Sequence, residues 1–319
     1  MRSTVINLAL VTTALVAMPL PAQRVFPGGP AFPAGDTAIV ITLGTGTPVP
    51  VPDRSGPATA VVVGQRVFLF DAGPGVMRRV AAAGLPIDGV TAAFITHLHS
   101  DHTLGLPDLI LTSWVMGRRN PMRLHGPPGT RRMVENIIEA WAEDTVVRVT
   151  GLERGQPGGY RVDTRETTGG TVYDSAGVTI TAIRVPHGEW EYAFAYRIAT
   201  NGRTILISGD TRYSEDLARA AANVDVLVHE VYPEARVAPE NRPGGELWPR
   251  YLREVHTSDA ELGRLAAIAK PKLLVLSHVI FLGAPEAEIV AGIRRGGFTG
   301  RIVVARDLGR YGGREVVRS

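Results

Sequence analysis

The chain has 319 residues, 45% of them hydrophobic and 20% charged, which is enough apolar material for a substantial core and excludes a disordered or fibrous class. It contains no cysteine, so disulfides, thiolate metal sites and cysteine nucleophiles are excluded together. The formal net charge is +3 with no long basic run, so nothing in the charge pattern calls for nucleic acid, and pairs such as Arg118-Arg119 read as solvated faces.

In chain order, Met1-Arg2 precedes an apolar stretch from Val5 to Leu20 and then Pro21-Ala22-Gln23. One positive charge, a short apolar region and a small residue at the junction read as a secretory signal over 1–22, with a periplasmic or secreted destination. The stretch is too short and too poorly flanked for a comfortable membrane span, so none is expected in the mature form. Residues 23–36 are Pro/Gly-rich and read as a tether, which leaves 37–319 as a single domain.

That domain opens with a β-branched strand over 38–43 and a strand pair over 58–63 and 66–70 that turns at Gly64-Gln65. A helix over 75–83 and a strand over 89–96 follow, then helices over 107–116 and 130–142. Short strands are expected from Val146 to Ile198, a strand at 204–208, a helix at 214–222 and a strand at 224–229. Residues 232–250 read as a loop. Ser258 and Glu261 form a capping box that starts a helix, followed by a strand at 273–277, a helix at 285–295 and a strand at 302–305.

The segment His97-Leu98-His99-Ser100-Asp101-His102 forms H-x-H-x-D-H at the end of an apolar strand. His97 and His99, two apart in extended chain, can grip one ion from one side, while Asp101 and His102 fall where the chain turns into a helix and can reach a second. Imidazole and carboxylate are the ligands zinc accepts when thiolates are absent. His187, Asp210 and His278 each stand at the exit of a predicted hydrophobic strand and extend the ligand set. His125 and His229 read as structural, and Asp71 as a hydrogen-bonding support for a ligand.

With these residues in place, the sequence resembles the metallo-β-lactamase superfamily from Ala38 to Tyr311, and within it the ribonuclease Z and arylsulfatase-like branch. Leu43-Gly44-Thr45-Gly46-Thr47-Pro48, Phe70-Asp71-Ala72-Gly73, Val228-His229-Glu230 and His256-Thr257-Ser258 carry the likeness beside H-x-H-x-D-H. The resemblance implies an α/β fold, a four-layer αββα sandwich, with two Zn2+ ions and Mn2+ or Fe2+ as alternatives. It implies His97, His99 and His187 on one ion, Asp101, His102 and His278 on the other, and Asp210 between them. It also gives Asp101 a part in orienting and deprotonating water, places His256 near the leaving group as a proton donor, and sets Glu230 behind it.

The expected substrate departs from ribonuclease Z. That family's long tRNA-binding arm has no counterpart between Ala195 and Asp210, where Asn201-Gly202 marks a hairpin. Together with the signal segment this points to an exported hydrolase of aryl sulfates or phosphodiesters, with a small-molecule ester as partner, no nucleic acid and a homodimer consistent with the branch. A lactonase, favoured by Tyr213 three residues after Asp210, and a weak β-lactamase are the alternatives. Trp114, Trp190, Tyr192, Trp248, Tyr251 and Phe281 are candidate pocket walls, Trp190 first among them because it follows His187 closely.

Overall fold

A computed structural model of the protein describes residues 38–312 and 316–317; the expected signal segment and tether lie outside these residues. The first half of the chain builds strands β1 (Ile39–Gly44), β2 (Ala58–Val63), β3 (Arg66–Phe70), β4 (Val90–Phe94), β5 (Met122–Gly126) and β6 (Val162–Glu166). Helices α1 (Val76–Ala82), α2 (Ser100–Thr103), α3 (Leu106–Val115), α4 (Thr130–Ala140) and α5 (Ala142–Thr150) lie between them. The second half supplies β7 (Gly170–Ser175), β8 (Val178–Arg184), β9 (Phe194–Thr200), β10 (Thr204–Ile207), α6 (Glu215–Ala220) and β11 (Val226–Val231). Then come α7 (Trp248–Val255), α8 (Asp259–Ala269), β12 (Leu273–Val279), α9 (Glu286–Arg295), β13 (Arg301–Val304), β14 (Gly309–Tyr311) and β15 (Val316–Val317).

Two mixed sheets result, in the orders β15-β14-β1-β2-β3-β4-β5-β6 and β13-β12-β11-β10-β9-β8-β7. Alternation along each strand sends successive side chains to opposite faces, and three apolar layers follow from it. Val40, Val61, Phe68, Phe70 and Phe94 meet Ile180, Tyr196, Ile198, Ile205, Val228 and Val275 between the sheets. Ile41, Ala60, Leu69 and Ala93 face the other way, onto α1 and α3. Leu206, Leu227, Leu274 and Leu276 pack beneath α6, α8 and α9. This is the expected αββα sandwich in one domain.

The differences from the sequence reading are local. Val146, Val147 and Val149, read as strand, lie in α5, whose first turn carries Glu143 and Asp144 and whose Asp144 accepts from Arg148 one turn on. The segment read as loop ends in α7, where Pro249 occupies the first turn and costs no hydrogen bond. Two further strands complete the first sheet, β5 between β4 and β6 and β14 between β1 and β15. The capping box at Ser258 and Glu261 is present with both of its hydrogen bonds.

His125 is buried on β5, stacked on Phe94 with ring centroids 4.9 Å apart. Burial lowers its pKa to about 4. The unfolded chain therefore takes up a proton that the folded one refuses, and stability is lost as pH falls from about 6.5 toward 4. His125→Phe keeps the stack and removes the titration, and is expected to flatten that loss by roughly 1–3 kcal/mol. Urea unfolding at neutral and acid pH checks it; an unchanged pH slope counts against it.

Candidate metal centre

Every candidate ligand sits where a strand runs out. Past β4 the chain bends at Thr96 and runs on without regular structure through His97 and Leu98, and His99 then leads into α2, which carries Asp101 and His102. His187 follows β8, Asp210 follows β10, and His278 lies near the end of β12 in the left-handed region at φ 52°. Gly209 before Asp210 also has positive φ, and a Cβ there would stand 2.7 Å from the Phe194 carbonyl, so this approach admits only glycine.

The seven residues converge in two groups. His97, His99, His187 and Asp210 present ligand atoms within 4.8 Å of one another, and so do Asp101, His102 and His278. Asp210 lies between the groups. Its Oδ1 is 3.3 Å from His102 Nε2 and its Oδ2 is 3.5 Å from His278 Nε2 and 4.0 Å from His97 Nε2. All seven are buried except His99, which is half-buried.

The surrounding hydrogen bonds fix which nitrogens face inward. His187 Nδ1 donates to the Val255 carbonyl at 2.8 Å and His102 Nδ1 donates to Asp71 Oδ2 at 2.8 Å, which leaves each Nε2 with a free lone pair. Asp71, held at φ 60°, also accepts from the Thr96 amide and hydroxyl, so one carboxylate aligns both the H-x-H strand end and His102. His97 Nε2 and His187 Nε2 crowd His99 Nδ1 at 2.9 and 3.1 Å. His102 Nε2, Asp210 Oδ1 and His278 Nδ1 are buried with no hydrogen-bond partner. Orphaned polar atoms of this kind are rare inside a protein, and imidazoles and carboxylates converging without thiolates form the donor set of zinc or a similar ion. The residues fit a pair of metal ions.

Electrostatics support the same reading. Burial holds His97 well below the usual histidine range and brings His187 down to about 4, so both stay neutral and ligand-competent. Burial would push Asp210 up, yet His278 and His102 hold it well below the usual carboxylate range. Asp71→Ala is expected to lower metal affinity by roughly 10- to 100-fold while the fold survives. Competition against a chelator measures this, and wild-type affinity in the variant refutes the role.

His256 and Glu230 stand beside the ligands. His256 Nδ1 is 3.1 Å from Glu230 Oε1, and its ring lies 5.8 Å from that of His278. Burial opposes a charge on His256, but Glu230 outweighs it and raises the pKa. The Thr211 amide, one residue past Asp210, donates to the same Glu230 oxygen at 3.0 Å. His229 faces away, its Nδ1 2.7 Å from the Glu230 carbonyl. Neither His125 nor His229 belongs to the two ligand groups.

Of the aromatic candidates, Trp190 and Tyr251 line a cavity of about 530 Å³ that reaches His99 and His187. Trp114 is instead buried under α3, with its N–H donating to the Gln156 carbonyl. Tyr192 and Phe281 are covered by the guanidinium groups of Arg184 and Arg54. Trp248 stacks on Tyr251 at 5.1 Å. The sequence reading brings Trp248 and Tyr251 to the site as pocket walls but misses the helix that carries them and the Val255 carbonyl at its end, which orients His187.

Comparison with known proteins adds the lineage. Residues 66–279 match a family model described as a beta-lactamase superfamily domain. The chain is 34% identical over 280 residues to a protein named Ribonuclease Z from Mycobacterium bovis, covering 85% of this chain and 96% of that one. Among solved structures, it resembles the metallo-beta-lactamase fold protein YhfI from Bacillus subtilis (TM-score 0.67, 17% identity, 87% of this chain and 100% of that one). It also resembles human tRNase Z, short form (TM-score 0.65, 21% identity, 86% and 98%). At these identities the two structures speak for the fold alone.

Two expectations are corrected by these matches. The first is the exported hydrolase of aryl sulfates or phosphodiesters, with its lactonase and β-lactamase alternatives, of which only the phosphodiester bond agrees with the relatives' name. The second is the partner assignment, a small-molecule ester and no nucleic acid. Both rested on the missing arm together with the signal segment, which lies outside the described residues, and the hairpin between β9 and β10 does pair tightly from Ile207 and Tyr196 out to Thr204 and Ala199. However, a protein carrying the name Ribonuclease Z aligns with this chain over 96% of its own length. A short hairpin at this place therefore does not separate the chain from ribonuclease Z.

Proposed function

The chain belongs to the beta-lactamase superfamily, in its ribonuclease Z-like branch, and from that premise we propose that it is a metal-dependent phosphodiesterase that cuts RNA. The observation that carries this reading is the alignment at 34% identity over 85% of the chain with a relative named Ribonuclease Z. The geometry supports it, because two ligand groups sharing Asp210 suit a phosphodiester, whose non-bridging oxygens can face two cations at once.

Zinc at both positions is the preferred metal on the donor set, with manganese or iron as alternatives. A pair of ions held here supplies positive charge where the attacked phosphate builds up negative charge, and it acidifies the attacking water. The chain's own residues do the rest. Asp101, whose Oδ2 lies 3.2 Å from His278 Nε2, orients the water and takes up its proton. Water oxygen bonds to phosphorus as the bond from phosphorus to the leaving ester oxygen breaks. His256 then hands a proton to that oxygen, and the Glu230 carboxylate stabilises the imidazolium before transfer.

Purified protein loaded with zinc or manganese is expected to cleave a short RNA and to hydrolyse bis(p-nitrophenyl) phosphate, with both activities lost on chelation. Hydrolysis of aryl sulfate, lactone or β-lactam with no cleavage of either phosphodiester would overturn the proposal.

A further inference from the structure

The metal centre opens on one side into the 530 Å³ cavity, a volume within the roughly 300–1,000 Å³ of small-molecule sites. Its walls come from two segments. The turn after β8 supplies Gly188, Glu189 and Trp190, and α7 supplies Tyr251, Glu254 and Val255. We propose that this cavity is a base-binding subsite, which takes the nucleobase next to the scissile phosphate and stacks it against Trp190 and Tyr251. The proposal rests on the phosphodiesterase reading and extends it to the part of the substrate that does not react.

The chemistry of the lining selects the occupant. Trp190 and Tyr251 keep 37% and 39% of their surfaces exposed, unusual for large aromatic side chains beside a buried cluster. The edge of the Trp190 indole lies against the site, its Nε1 2.9 Å from His99 Nε2 with the two rings perpendicular. One face of Tyr251 is committed to Trp248, stacked at 12°. What these residues can still offer is aromatic surface, and any base can stack on aromatic surface whatever its sequence.

The polar part of the lining narrows the class further. Apart from the two ligand histidines it consists of Glu189 and Glu254, the latter paired with Arg250 at 2.8 Å. Glu189 and the second oxygen of Glu254 can accept hydrogen bonds from the ring N–H and exocyclic amino groups of a base. The lining thus offers a neutral ring both aromatic surface and acceptors. The walls are already fixed for this role. The Gly188 amide donates to the Glu254 carbonyl at 3.1 Å, and the Trp190 amide donates to the His187 carbonyl at 3.1 Å. Gly188 has φ 54°, and a Cβ there would meet Val255 at 2.9 Å, so the turn and α7 are closely seated on each other.

Calorimetry on the metal-loaded full chain, with guanosine 5′-monophosphate and ribose 5-phosphate as probes, separates base from phosphate. The base-bearing probe is expected to bind roughly 10-fold or more tightly, and Trp190→Ala and Tyr251→Ala are each expected to collapse that ratio toward unity. Trp190→Phe restores most of it. Because Trp190 touches His99, the Tyr251 variant, whose ring contacts are Trp248 and His256, keeps the test decisive. Equal binding of the two probes by the wild-type protein overturns the subsite, as does an equal weakening of both probes in both variants. A parallel rate measurement on RNA with a base or an abasic residue beside the cut keeps the two proposals apart. A base preference in binding without RNA cleavage retains the subsite and rejects the nuclease reading; cleavage indifferent to the base does the reverse.

Discussion

Asp210→Ala is expected to empty the metal centre and lower phosphodiester hydrolysis by roughly 10³-fold or more. Asp210 is the one side chain that reaches both ligand groups, through Oδ1 toward His102 and Oδ2 toward His278 and His97. With Asp101 it supplies the negative charge that offsets a site otherwise crowded with imidazoles, and His278 and His102 in turn hold it ionised. Removing it takes away a carboxylate that both groups share, and two ions held there would lose the charge that offsets their repulsion, so both affinities should fall together. Metal content should drop from near two ions per chain to below one, with circular dichroism unchanged because no strand or helix depends on Asp210. Asp210→Asn keeps the size but supplies one weak oxygen donor, and should fall between. Two tightly bound ions in the alanine variant would refute the bridging role.

How much of this centre is legible in sequence follows from how local each determinant is. H-x-H-x-D-H is contiguous, and its two halves are divided by the start of α2, so four of the seven ligands can be read without any tertiary knowledge. His187, Asp210 and His278 are recognisable because each terminates a hydrophobic strand, the place where such sheets present their sites. The support is less legible. Asp71 acts through a left-handed φ and three hydrogen bonds formed across 25 and 31 residues of chain. The Val255 carbonyl that orients His187 belongs to α7, which was read as loop because Pro243, Gly244, Gly245 and Pro249 crowd its start. The valines of α5 suggest strand until the Asp144–Arg148 pair is seen to run along a helix. The substrate is the least legible part. The inference from the short hairpin treated an absent segment as a property of the site, while nothing in the ligand chemistry distinguishes sulfate from phosphate or a small ester from RNA.

His256 differs from the ligands in a way that mutation can expose. Asp210, His256 and His278 also lie close enough to share an ion, so proximity alone leaves two roles open, ligand or proton donor. The Nδ1 hydrogen bond does not decide by itself, because His102, a candidate ligand, has its Nδ1 engaged by Asp71 in the same way. Nδ1 is engaged by Glu230 at 3.1 Å, and that carboxylate, itself fixed by the Thr211 amide, raises the pKa of the ring. As a donor, His256 needs a proton held until the leaving oxygen demands it, which the Glu230 carboxylate favours. His256→Ala is therefore expected to retain both ions and to lose roughly 10²- to 10³-fold in turnover. The loss should be largest for esters with poorly stabilised leaving oxygens and should shrink for p-nitrophenolate, which departs without a proton. Glu230→Gln, which keeps a hydrogen-bond acceptor but removes the charge, should show the same leaving-group dependence at smaller size. A uniform loss across leaving groups, accompanied by loss of an ion, would instead make His256 a ligand. The two outcomes differ in metal content and in the slope of rate against leaving-group pKa, so a single series of aryl and alkyl phosphodiesters separates them.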